Sequence, residues 1–136
     1  MSAVDLAVAR EQVSEGFRST AYIDPTGHQT IGYGFNISAG ITRTAALALL
    51  QAQTQDVANS LVNTLMGLDE VRASVLIELG FNLGVGGLLG FHQMLAAVAA
   101  RDWTTACDQL LDSQAARQLP TRYNALAQML LTGSEN

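Results

Sequence analysis

The first residues place apolar side chains at helical intervals. Val4, Val8 and then Gln12 or Val13 follow one face, so a helix is predicted over Ser2–Ser14. Ser2 is a good N-cap, and Asp5 stands where a capping box places its acid. Gly16 lies just past the last turn, as helix stops often do, which leaves Glu15 at the C-terminal end. The pattern then changes. Tyr22-Ile23 and Thr30-Ile31 flank Asp24-Pro25-Thr26-Gly27, which has the residue preferences of a type I turn. A small β-hairpin or three-stranded meander is predicted from Ala21 to about Ile37.

Helical spacing resumes after Thr42, a candidate N-cap. Leu47, Leu50, Thr54, Val57, Leu61 and Leu65 recur at helical steps, predicting one long helix or two joined helices over roughly residues 43 to 65. Asp69 restarts the chain as an N-cap, and Val71, Val75, Leu79 and Leu83 form the next apolar face. Gly84, Gly86, Gly87 and Gly90 predict a break with short helical turns. Phe91–Ala100 and Asp102–Asp112 read as two further helices, with Trp103 and Leu110 inward. Pro120 suits the first turn of a last helix and Gly133 its end. The expected fold class is α+β, mostly helical, within a single domain over residues 1–136.

Composition narrows the function. Hydrophobic residues make up 49% of the chain and aromatics only 6%, so leucine, valine and alanine must fill the core. Seven arginines, no lysine and twelve acids give a net charge of -5. No basic run is present, so no nucleic-acid partner is expected. The start of the chain has no basic region followed by an apolar run, and no stretch approaches a membrane span. Neither a signal peptide nor membrane insertion is therefore expected. His92 has no second ligand at metal-binding spacing, and the glycines do not form a dinucleotide fingerprint. No metal or cofactor is expected. His28 reads as an exposed turn residue, and the single cysteine, Cys107, as a small buried hydrophobe.

The scarce charges leave one suggestive cluster. Glu15 ends a helix, Asp24 opens the hairpin turn, and Thr30 sits on the returning strand. Two carboxylates around a cleft suit glycoside hydrolysis: one donates a proton to the leaving oxygen, and the other, ionised, guides water or stabilises positive charge. The negative end of a helix dipole favours the protonated form of Glu15. An aspartate in an open turn ionises readily. A threonine hydroxyl can both donate to and accept from a water molecule.

The run EGFRSTAYIDPTGHQTIGYG resembles the catalytic segment of the phage-type lysozymes. Downstream, LDEVRASVLIELGFNLGVGGLLGFHQML is similar to the family's central helix and the glycine-broken turn after it. RDWTTACDQLLDS and QLPTRYNALAQMLLTG are similar to its last helices. The resemblance implies a lysozyme-like fold, with a small N-terminal lobe carrying a β-hairpin packed on a helical lobe. It implies hydrolysis of the β-1,4 bond between N-acetylmuramic acid and N-acetylglucosamine in peptidoglycan, with inversion. Glu15 would be the general acid, and Asp24 with Thr30 would position water. Phe81, Asn82 and Gln109 fall at positions that line the family's sugar cleft. Arg122 matches an arginine that pairs with the catalytic glutamate, where its charge would oppose the helix-end effect.

Two departures stand out. Phe35 replaces a frequent histidine, and Ala115 replaces a late tryptophan, which would leave the helical lobe less well packed. The resemblance further implies a phage or prophage endolysin, held in the host cytoplasm until a holin-type partner releases it to the wall; nothing in the sequence suggests an obligate oligomer, so a monomer is expected. Two other readings stay open: a lytic transglycosylase, and a catalytically inactive lysozyme-fold module that binds or scaffolds.

Overall fold

In the computed structural model, which describes residues 1–135, Ser2 caps helix α1 (Ala3–Glu15) from both directions. Its hydroxyl oxygen accepts from the Asp5 N–H, and the Asp5 carboxylate accepts from the Ser2 N–H at 2.9 Å. These two short-range bonds satisfy helix-end donors that would otherwise lack partners. Gly16 ends the helix with a positive φ.

An antiparallel three-stranded meander follows, β1 (Arg18–Ile23), β2 (Gln29–Gly32) and β3 (Phe35–Asn36), in the order β1-β2-β3. Tyr22 faces Thr30 and Ile23 faces Gln29, and the register is irregular between Arg18 and Tyr22. The turn is the one the tetrapeptide predicts: the Gly27 N–H donates to the Asp24 carbonyl at 3.0 Å. Gly27 has φ +87°, which an L side chain adopts only at a cost. The first strand begins three residues earlier than the apolar pattern suggests. A 3-10 turn over Ile37–Ala39 leads to α2 (Arg43–Ser60), whose first turn Thr42 caps through a bond from the Ala45 N–H.

The chain divides into two compact units, Met1–Ala48 and a second beginning at Leu49, with the boundary inside α2. The second unit adds α3 (Val62–Leu65), α4 (Glu70–Leu83), α5 (Val85–Leu89), α6 (His92–Ala99), α7 (Trp103–Leu111), α8 (Gln114–Gln118) and α9 (Pro120–Thr132). Its core is aliphatic, as composition requires, and Leu76, Leu79, Leu88, Leu110 and Leu130 are fully buried. Each such side chain stabilises the fold by roughly 1.5–3 kcal/mol through loss of water contact. Cys107 is a buried free thiol and Ala115 packs against this core. No helix among the described residues is long and apolar enough to cross a membrane.

Three features go beyond what the apolar pattern gives. Val4, Val8 and Val13 are exposed, and α1 buries no residue. On α2, Leu47 and Leu50 are likewise exposed, and burial begins only near Val57 and Leu61. There Gly80 of α4 lets the backbone come close: a Cβ at Gly80 would stand 2.7 Å from Val57 Cγ1 and 3.2 Å from Leu61 Cδ1. Finally, Ser113 caps α8, a helix absent from the sequence reading because five residues are too few to show a period.

Candidate active site

The three candidate catalytic residues all lie in the first unit, and the meander organises them. Asp24 and Thr30 grip the same residue, His28, from opposite ends of its backbone. The Asp24 Oδ1 accepts from the His28 N–H at 2.8 Å, while the Thr30 hydroxyl donates to the His28 carbonyl at 2.9 Å. Asp24 Oδ1 also accepts from the Thr26 N–H at 2.9 Å and the Thr26 hydroxyl at 2.8 Å. All three bonds to the Asp24 side chain end on Oδ1. Among the described residues Oδ2 accepts none, so one oxygen anchors the side chain and the other is available for chemistry.

These bonds hold the Asp24 carboxyl below the usual carboxylate range. The His28 N–H contributes most, followed by the Thr26 hydroxyl. The sign follows directly. The bonds favour the ionised form, so they stabilise the fold above the ordinary carboxylate pKa. That contribution fades as acid takes the pH down through the lowered folded value. Thr26→Val should therefore move the Asp24 titration upward. The check is a pH titration of the Asp24 carboxyl carbon by NMR, and an unmoved midpoint would remove Thr26 from this account.

Thr30 is buried, with 2% of its surface exposed, on the middle strand opposite Tyr22 and Asn36. Its proton is committed to the His28 carbonyl, so the hydroxyl meets any other group as an acceptor. His28 itself is exposed, as expected, with Nδ1 2.7 Å from the Thr26 hydroxyl.

Glu15 is placed by a glycine that the sequence reading did not single out for this role. Gly34 lies between β2 and β3 with φ +77°. A Cβ on Gly34 would stand 2.5 Å from Glu15 Oε2 and 2.8 Å from its Cδ. The carboxyl of Glu15 thus rests on bare backbone, in space that only glycine leaves open. Phe35, beside it in the chain, packs against Gly32 and is largely exposed.

The four candidate sugar-contacting residues lie in the second unit, and two of them meet on one seam. Glu78 and Asn82 share a face of α4, one helical turn apart. Both bond to the first turn of α9. Arg122 Nε donates to Glu78 Oε2 at 2.9 Å, and the Tyr123 hydroxyl donates to Asn82 Oδ1 at 2.6 Å. Within the second unit Arg122 forms an ion pair with Glu78, because α9 packs along α4. Phe81 is 41% exposed on α4, and Gln109 is half-buried on α7; among the described residues no side-chain hydrogen bond ties either to the seam. Glu78 and Tyr123 were not foreseen. Tyr123 directly follows Arg122, but nothing local marks it as a partner of a residue so distant in the chain.

Residues 12–126 match the family described as Phage lysozyme. The chain is 24% identical to Probable T4-type lysozyme 1 of Dictyostelium discoideum, over 90% of this chain and 91% of that protein. It is 25% identical to Pre-baseplate central spike protein Gp5 of Enterobacteria phage T4, over 88% of this chain but only 26% of that protein.

Proposed function

The chain belongs to the phage lysozyme family, which implies glycoside hydrolase activity in general, and on that premise we propose that it is a muramidase. Its substrate would be peptidoglycan, and the bond cleaved the β-1,4 link from N-acetylmuramic acid to N-acetylglucosamine. The observation that carries this reading is the asymmetric anchoring of Asp24 beside Thr30. Oδ1 is saturated by donors and Oδ2 is not, while the Thr30 hydroxyl can only accept.

A water that donates one proton to Asp24 Oδ2 and the other to Thr30 Oγ1 has its lone pair turned toward the anomeric carbon. Glu15, as the acid, protonates the departing glycosidic oxygen. As the bond breaks, positive charge develops on the sugar ring. The water oxygen adds from the opposite face and its proton passes to Asp24, which gives inversion. Acid and base assistance of this kind contributes about 10²- to 10⁴-fold each. Delivery to the wall through a holin-type partner belongs to the same reading.

Product analysis on purified Gram-negative sacculi tests it, with Glu15→Gln alongside. The expected products carry hydrated muramic acid reducing ends, appear first as the inverted anomer, and are absent with Glu15→Gln. Anhydromuramic ends would mean a transglycosylase. Binding of sacculi by both proteins without cleavage would mean an inactive wall-binding module.

A further inference from the structure

The Tyr123–Asn82 bond joins a buried group to an exposed one. Tyr123 is fully buried, whereas Asn82 is exposed near the C-terminal end of α4. Among the described residues, the Tyr123 hydroxyl has this one hydrogen bond. A buried phenolic proton without an acceptor is costly, so it must go to Asn82. Tyr123 can satisfy it only if Asn82 turns its carbonyl oxygen inward. Burial pushes the Tyr123 phenol up, Arg122 opposes this and Glu78 adds to it, so the group stays a donor at neutral pH. The Asn82 amide is therefore not free to flip. Its Nδ2 has no protein acceptor among the described residues, so two N–H donors are presented outward.

We propose that Tyr123 is a positioning residue that fixes the Asn82 amide, so that Asn82 offers hydrogen-bond donors to an acceptor oxygen of an N-acetylated sugar chain. The proposal rests on the muramidase reading for its substrate class, but it concerns the helical unit alone. An unrestrained asparagine would present donor or acceptor by rotation. This one presents donors only, and the orienting force comes from a residue that need not touch the substrate.

The test measures KM and kcat on soluble peptidoglycan glycan strands for wild type, Tyr123→Phe, Asn82→Ala, Asn82→Asp and the Tyr123→Phe/Asn82→Ala double variant. Loss of one hydrogen bond predicts a rise in KM of about 2- to 10-fold for Tyr123→Phe. Because binding and not chemistry is altered, kcat should stay within about 2-fold. In the Asn82→Ala background Tyr123→Phe should add nothing. Asn82→Asp separates the proposal from a merely structural tie. It keeps an acceptor for Tyr123 but replaces the outward donors, so it should be at least as impaired as Asn82→Ala.

An Asn82→Asp protein with wild-type KM, additive effects in the double variant, or an unchanged KM in Tyr123→Phe would overturn the proposal. If Tyr123→Phe fails to fold, the Asn82→Asp comparison still decides. If the wild type does not cleave glycan strands, the muramidase reading fails separately. The side-chain amide resonances of Asn82, followed by NMR with tri-N-acetylchitotriose added, then decide the matter. A shift in wild type that Tyr123→Phe loses supports the positioning role, and no shift in wild type overturns it.

Discussion

Gly34→Ala should lower wall-lytic activity by about 100-fold, through displacement of a residue distant in sequence. The added Cβ would stand 2.5 Å from Glu15 Oε2 and 3.1 Å from its Cγ, well inside contact distance. The glutamate must swing away by something near an ångström. Displacement of a reacting group by about 1 Å costs on the order of 10²-fold in rate. The substitution also forces alanine to φ +77°, at about 1–2 kcal/mol. Gly40→Ala is the control. It has φ +81° and nothing within 4 Å of its Cβ position, so it bears the strain without touching Glu15. Turnover of sacculi and thermal midpoints should be measured for both variants. Equal losses of activity would show that strain alone is responsible, and full activity in Gly34→Ala would show that Gly34 does not place Glu15.

The largest expected loss of stability is at Arg72. Its side chain is 13% exposed and lies over the Trp103 ring, 3.9 Å from the centroid. It donates to the carbonyls of Leu130 and Leu131, at 2.7 and 2.8 Å, and to Asp69 at 3.2 Å. One guanidinium thus ties the start of α4 to the end of α9 and stacks on α7. The carbonyls it satisfies are among the last in α9, which have no partner within the helix. Hydrogen bonds from a charged donor contribute about 1.5–3 kcal/mol each, and a desolvated cation–π contact about 2. These terms overlap, so we expect Arg72→Ala to destabilise the helical unit by about 3 kcal/mol. Arg72→Lys should recover little, because an ammonium cannot span both carbonyls while stacking on an indole. Urea unfolding followed by circular dichroism measures this, and a loss below about 1 kcal/mol would contradict it. The stacking also completes the setting of Trp103, which is half-buried, packs against the aliphatic core and carries an arginine over its ring.

Several features were legible in the sequence because their causes are local. The Ser2–Asp5 capping box, the Asp24–Gly27 turn, the Asp69 cap, Pro120 in the first turn of α9 and Gly133 at its end each depend on residues a few positions apart. The spacing of Glu15, Asp24 and Thr30 was visible for the same reason, since a helix end, a turn and a returning strand follow one another directly. What the spacing could not show within that segment was the bonding: which Asp24 oxygen is anchored, and where the Thr30 proton goes.

Tertiary structure alone decided the rest. Leu47 and Leu50 recur at helical steps just as Val57 and Leu61 do, yet the first two are exposed whereas Val57 and Leu61 lie against Gly80 of α4. A period records that a face is apolar, not that another element covers it. Arg122 meets Glu78 through the packing of α9 along α4, a contact that no local pattern marks. Tyr123 and Asn82, like Arg72 and Leu130, are separated by several helices in the chain and by one hydrogen bond in space. Local propensity and turn chemistry act over a few residues, so the sequence by itself determined the elements and the order of the candidate groups. Contacts between distant segments depend on how helices dock, and docking set the orientation of Asn82, the partner of Arg122 and the anchor at Arg72.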